Sequence, residues 1–321
     1  MISGRIVLDP NEEEVSEEDR KSEEIEEDTE FQNGTAIALR QSANLPSNVV
    51  GHLKIIDLSS TTAVEILQSE VSLEEFNSIT TATKIDPIAL SDYALDLINA
   101  FNTTTFSLKC LRETLYEKGF RKDFDLILNH DASVIEVTTR HFLDLMCSPN
   151  NPLNQNTLER TAATYTIIHI VNQLFIANND IIELGWLERE FYATEKAKWD
   201  GVLFKVGNKS ISPGLIEFSG GCNDKTSSNK NQRDITKLYS NMLQILKSLP
   251  SVTTAQICCI RYYDKSIYFE KLTRYNGSMF RTIHATIEIP TTPRKLVAYL
   301  LELPKILVWK EAVVNYAIQF K

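Results

Sequence analysis

The order of apolar patterns after Pro152 is the feature that most constrains this fold. A helical segment at 157–178 contains neither Gly nor Pro, and it is followed by short runs, separated by Gly, Asn and Pro, that predict strands. The predicted strands are 181–192, 199–206, 215–219, 254–262, 266–273 and 279–288. Helices are predicted at 234–249 and from Pro293 to about 318, with Pro304 expected to kink or split the last one. Helix, three strands, helix, three strands and helix together predict an α/β or α+β protein with one mixed sheet.

Charge divides the chain into an acidic start and a balanced body. Residues 11–30 carry twelve acids against two bases, while the other 301 residues hold 31 acids and 31 bases. So few apolar residues cannot offset the entropy of ordering, and the like charges repel, so we expect a disordered acidic tail at 1–50. We expect a helical N-terminal region at 51–150, where Ser91 is a possible N-cap of one helix and Asp131 or Ser133 of another. The α/β domain is then expected at 151–321.

Cysteine usage and hydropathy exclude several classes of protein. The five cysteines are sparse and form neither a disulfide framework nor a zinc-ligand set. The first residues do not form a signal peptide, and no segment has the roughly 18 apolar residues that span a bilayer. We therefore expect a cytoplasmic or nuclear protein without a membrane partner.

Three acidic residues in the second half of the chain are candidates for a metal-binding site. Asp200 lies near the start of one predicted strand and Glu217 in the next, so neighbouring strands could bring the two carboxylates together. Two like charges at one place are costly unless a cation lies between them, and Mg²⁺ prefers such oxygen ligands. Glu159, in the first turn of the preceding helix, could complete the set. Each acid also has a structural interpretation: Asp200 before Gly201 is typical of a turn, Glu217 can be a solvated residue on a strand face, and Glu159 suits a helix N-terminus.

These residues resemble the PD-(D/E)XK nuclease-like superfamily. The resemblance rests on a helix with Glu159, a strand with Asp200 in WDG, a strand ending in Glu217-Phe218-Ser219, and a following helix and strand. It covers roughly residues 155–290 and implies a restriction-endonuclease-like mixed sheet flanked by helices. It also implies that Asp200 and Glu217 bind Mg²⁺ or Mn²⁺, and that Glu159 assists.

The family's lysine position is occupied by Ser219, so a cation from elsewhere would have to replace it. Lys198 lies two residues before Asp200 and therefore on the same strand face. Lys230, Arg233 and Lys237, near the start of the following helix, would act from across the site. We expect Lys198 and Lys237 to be the pair that takes this catalytic role.

The segment 196–275 has the charge expected of a nucleic-acid-binding surface. It contains 13 Lys and Arg against 6 Asp and Glu, whereas the body as a whole is balanced. Within it, Lys230, Arg233 and Lys237 are the predicted contacts to a phosphate backbone. The same excess is also compatible with an ordinary solvated surface.

Three functions follow from these observations. The first is a magnesium-dependent nuclease, an endo- or exonuclease that hydrolyses phosphodiesters of DNA or RNA. The second is a catalytically inactive PD-(D/E)XK-like module that binds nucleic acid or protein, with Ser219 marking the loss of activity. The third is a protein-binding scaffold that uses the helical half.

Overall fold

A seven-stranded mixed sheet forms the centre of the fold. The structure is a computed structural model, and it describes residues 34–45, 48–221, 226–249 and 254–319. The strands are β1 (Ile56–Asp57), β2 (Ile182–Phe191), β3 (Ala197–Lys205), β4 (Gly214–Phe218), β5 (Thr254–Tyr263), β6 (Ser266–Tyr275) and β7 (Ser278–Glu288). Across the sheet they follow the order β1-β7-β6-β5-β4-β3-β2.

Helices precede the sheet and flank it. The helices are α1 (34–43), α2 (Thr61–Glu70), α3 (Leu73–Thr83), α4 (Asp92–Thr103), α5 (Leu108–Lys118), α6 (His130–Cys147), α7 (Glu159–Tyr165), α8 (Ile167–Phe175), α9 (Ser228–Ser248) and α10 (Pro293–Gln319). Several begin at a serine whose side chain accepts a backbone N–H three residues later, which satisfies an otherwise unpaired donor. These N-caps are Ser60, Ser72, Ser91, Ser107 and Ser227.

The strand connections explain why the sheet is mixed. Strands β4 and β5 are parallel, and a parallel pair needs a long crossover, which α9 supplies. Strands β5, β6 and β7 form two antiparallel hairpins. Their two-residue turns, Asp264-Lys265 and Asn276-Gly277, have positive φ at both positions, as the tight turns of twisted hairpins require.

Two hydrophobic cores lie on opposite faces of the sheet. Residues of α4, α6, α8 and α10 share the larger core with one face, and α9 covers the other face. Phe142 of α6 packs edge-on against Tyr299 of α10, with ring centroids 5.5 Å apart. The helical N-terminal region and the α/β part therefore share a core. The predicted fold class, a mixed α/β sheet flanked by helices and preceded by a helical region, is confirmed.

Local differences from the predicted elements have physical causes. The segment 157–178 forms two helices, because Thr166 (φ −127°, ψ −94°) leaves the helical region between α7 and α8. Of the two expected effects of Pro304, a kink or a split, the split is wrong, because α10 runs through Pro304 as one element. The expected cap at Asp131 or Ser133 is also wrong, since α6 begins at His130 and the Asp131 carboxylate accepts the Ser91 backbone N–H at 2.6 Å.

Part of the predicted tail lies outside the described residues. Residues 1–33, which include the acidic segment 11–30, belong to that part, whereas α1 occupies 34–43. The four cysteines within the described ranges are free thiols. Among the helices of the described ranges, none is long and apolar enough to cross a membrane.

Candidate functional site

The two predicted metal ligands lie on neighbouring antiparallel strands. The register pairs Gly201 of β3 with Ile216 of β4, and Asp200 and Glu217 are the next residues on the two strands. Glu217 belongs to the face that α9 covers, because Leu215, two residues before it on β4, lies in the core under α9. Asp200 Oδ2 also accepts the backbone N–H of Phe218 at 2.8 Å, which holds its carboxylate against the end of β4.

Lys237 of α9 reaches this pair of acids. Its Nζ donates to Glu217 Oε1 at 2.7 Å and to the Lys198 carbonyl oxygen at 2.9 Å. The ammonium also lies 4.6 Å from the centre of the Trp199 ring, a cation–π distance. Three contacts therefore fix a lysine amine beside the acid that precedes Phe218 and Ser219.

Glu217 is a buried carboxyl with one unsatisfied oxygen. Its residue is 6 % exposed, and Oε2 has no hydrogen-bond partner within the described part of the chain. Burial raises the pKa of Glu217 to about 8 against the opposing effect of Lys237, and the charges of Asp200 and Asp234 raise it further. Burial therefore favours the protonated form of this carboxyl.

A second acid–lysine pair borders the first. Glu159, the first residue of α7, forms an ion pair with Lys230 of α9. Burial alone would lower the pKa of Lys230, but Glu159 outweighs burial, so the pKa is raised. Burial also raises the pKa of Asp200, and Glu159 adds to this because like charges repel. Asp200 therefore interacts electrostatically with both Glu159 and Lys237.

The other predicted residues take different positions. The Lys198 ammonium lies 3.6 Å from Glu188, with 62 % of its side chain exposed, and Lys198 reaches the site through its backbone carbonyl. Arg233 is exposed on α9. Ser219 is fully buried, and its Oγ has no hydrogen-bond partner among the described residues. Of the two lysines predicted to replace the missing cation, Lys237 is the one whose amine contacts an acid of the site.

The donor set suits a hard divalent cation better than zinc. Within the described ranges there is no group of three or more His, Cys, Asp or Glu side chains that could hold a metal ion. Mg²⁺, however, is commonly held by one or two carboxylates together with water and substrate phosphate. The unpaired Oε2 of Glu217, close to the charge of Asp200, is compatible with such a ligand.

Sequence reasoning missed a buried ionic network beside the site. Glu270 of β6 forms ion pairs with Arg261 at 3.1 Å and Arg281 at 2.9 Å, and Arg281 also pairs with Asp57. Burial would raise the pKa of Glu270, but Arg281 and Arg261 lower it to about 2. Arg261 also donates to Asn231 at 3.1 Å, which links α9 to the sheet. The signal available in the sequence was the presence of single charged residues within otherwise apolar predicted strands.

Comparison with family models, curated proteins and solved structures finds no match to this chain. The class defined by the fold is a mixed α/β protein with an open seven-stranded sheet.

Proposed function

We propose that this protein is a magnesium-dependent nuclease that hydrolyses phosphodiester bonds of DNA or RNA. The observation that carries the proposal is the 2.7 Å contact between Lys237 and Glu217. It puts an amine beside the two acids although Ser219 stands where the resemblance calls for lysine. The order of α7–α8, β2, β3, β4, α9 and β5 also supports the resemblance to the PD-(D/E)XK superfamily.

Asp200 and Glu217 would hold Mg²⁺ or Mn²⁺. When bound, such an ion stabilises charge that develops on the phosphate and lowers the pKa of a bound water. Because the pKa of Glu217 is raised to about 8, this carboxyl must lose its proton before it can act as a ligand. The Phe218 N–H keeps the Asp200 carboxylate turned toward the end of β4.

Lys237 would position and stabilise the reacting groups. A lysine ammonium has three N–H donors, and the contacts with Glu217 and the Lys198 carbonyl use two of them. The third can donate to a phosphate oxygen or to the attacking water. Glu159 acts one step away, since its ion pair with Lys230 fixes α7 against α9.

The test combines metal binding with cleavage. Calorimetry with Mg²⁺ and Mn²⁺ is performed on the wild type and on Asp200→Asn and Glu217→Gln, which keep the size of each side chain. Glu190→Gln, an exposed change on neighbouring β2, is the matched control. We expect the wild type and the control to bind metal and cleave DNA or RNA, and both site variants to lose both properties. A wild type that binds neither metal would overturn the proposal.

One observation favours the second candidate, a catalytically inactive module that binds nucleic acid or protein. Glu217 and Glu159 each have a lysine partner, so their charges are balanced without a metal. Retention on immobilised DNA without cleavage, lost when Lys230, Arg233 and Lys237 are changed to Glu, would support this module. A lack of both retention and cleavage would favour the protein-binding scaffold.

A further inference from the structure

A cleft opens next to the acid–lysine pairs, between the start of α7 and the start of α9. Its volume is about 610 Å³. Arg160 lines it from α7, and Lys230 and Arg233 line it from α9. Hydroxyl groups complete the lining, from Thr161, Thr226 and Ser227. Cations and hydroxyls are the groups that most often contact the phosphates of nucleic acids.

The described lining of the cleft carries net positive charge. Its one acid is Glu159, which is already paired with Lys230. Arg160 and Arg233 lie on opposite walls, and Arg160 is paired with Glu188 from outside the lining. A polyanion that entered the cleft would therefore find one cation on either side.

The cleft is continuous with the candidate site through shared residues. Glu159 and Lys230 line the cleft and form an ion pair. Lys230 lies about two helical turns before Lys237 on α9, and the Lys237 amine contacts Glu217 at 2.7 Å. A strand lying in the cleft would thus lead directly to the two acids.

The Arg160 guanidinium is already paired with an acidic side chain of the protein. Glu188 forms ion pairs with Arg160 and with Lys198. It lies in a bulge of β2 where Leu187 and Glu188 both have positive φ (58° and 56°), a strained conformation for residues other than Gly. The bulge directs the Glu188 carboxylate toward Arg160 and Lys198. A phosphate group that bound to these two cations would take the same position.

We propose that this cleft binds the sugar–phosphate backbone of the substrate next to the reacting phosphodiester. Arg160 and Arg233 contact it from opposite walls, and Glu188 competes with it for Arg160. This inference rests on the proposed nuclease function, but its contacts require no metal. Binding can therefore be measured separately from cleavage.

The test measures DNA affinity by fluorescence anisotropy in EDTA, over a series of salt concentrations. Arg160→Gln/Arg233→Gln is compared with Lys109→Gln/Lys305→Gln, which removes two exposed charges from α5 and α10. Each lost phosphate contact lowers the slope of log affinity against log salt by about 0.9 for duplex DNA. We expect the magnitude of this slope to be smaller by about two in the cleft variant than in the wild type, and to be unchanged in the control variant.

Glu188→Gln gives the opposite and more specific result. Releasing Arg160 should tighten DNA binding about twofold to fivefold, the value of an exposed ion pair. Glu190→Gln, the same charge change on the same strand, should tighten it less. A structural role for Glu188 would lower the melting temperature and leave the affinity unchanged.

The outcomes separate the cleft from the nuclease. An unchanged salt slope in the cleft variant of an active enzyme would overturn the cleft and leave the nuclease standing. A reduced salt slope in the cleft variant, found together with a wild type that binds no metal, would support the cleft as a binding site and overturn the nuclease. Equal displacement by polyglutamate and by DNA would assign the cleft to an acidic protein and overturn the inference.

Discussion

Replacing Glu217 by Gln should change how the stability of the protein depends on pH. The pKa of Glu217 is about 8 in the folded protein and 4.5 in an exposed chain. Since the folded state binds this proton more tightly, the associated stability is fully present below the unfolded-state pKa and is lost as pH rises through about 8. At about 1.4 kcal/mol per pH unit, this interval corresponds to roughly 5 kcal/mol. Gln resembles the protonated acid and does not titrate, so the variant should lack this loss.

The comparison with the variant isolates Glu217 from other titrating groups. Burial lowers the pKa values of His141, His169 and His284, so these groups contribute stability that is lost as pH falls, opposite in sign to Glu217. Because both proteins contain them, their contributions cancel in the difference between unfolding free energies.

The assay is urea unfolding of both proteins from about pH 5 to about pH 9. The stability of the wild type minus that of Glu217→Gln should fall by about 1.4 kcal/mol per pH unit and level off above about pH 8. Glu190→Gln should give a flat difference. A flat difference for Glu217→Gln would refute the argument that burial governs this carboxyl.

Three further results are expected. Mg²⁺ affinity should rise about tenfold per pH unit up to about pH 8 and then level off, since binding must displace the Glu217 proton; calorimetry measures this. Lys237→Met should lower the cleavage rate about 10²–10³-fold while metal binding is retained, because it removes one donor from the reacting charge; single-turnover kinetics measure this. Glu270→Gln should destabilise the protein by about 3–5 kcal/mol, because it removes the buried carboxylate that Arg261 and Arg281 share and leaves Arg281 with Asp57 alone; urea unfolding measures this.

Each of these results has its own control and a contrary outcome. Metal affinity independent of pH would mean that Glu217 is not a ligand. An unchanged cleavage rate in Lys237→Met would exclude this lysine from the reaction. The control is Lys198→Met, which removes an amine that lies away from Asp200 and Glu217. The control for Glu270 is Glu288→Gln, which breaks an exposed ion pair and should lower the free energy of unfolding by no more than about 1 kcal/mol. A decrease of the same small size in Glu270→Gln would contradict the stabilising role of the buried network.

The order of elements after Pro152 could be predicted because its signals are local. Gly, Asn and Pro mark the ends of the strands, and alternating or helical spacing fills the segments between them. Features that depend on distant parts of the chain could not be predicted in the same way. The two-residue strand β1 exists because it pairs with β7, and α10 continues through Pro304 while Leu303 and Ile306 on either side are buried in the core.

The candidate site was predictable to the level of strand positions. Neighbouring predicted strands could bring Asp200 and Glu217 together, whereas the register that sets them opposite each other comes from the pairing of β3 with β4. The interpretation of the sequence favoured Lys237 among the cations of the following helix, but it paired Lys237 with Lys198, whose amine lies beside Glu188 instead. In the structure, Lys230 and Lys237 are seven residues apart and therefore lie on one helical face, toward the acids, while Arg233 is exposed.

The packing of Phe142 against Tyr299 limits how this protein can be dissected. A fragment that began at residue 151 would keep β2–β7, α9 and α10, but it would lack β1 and the helices α4 and α6, which share a core with α10. Its newly uncovered apolar surface would favour aggregation. Poor solubility of such a fragment would therefore result from the loss of helices that cover the core. It would give no information about the chemistry at Asp200 and Glu217.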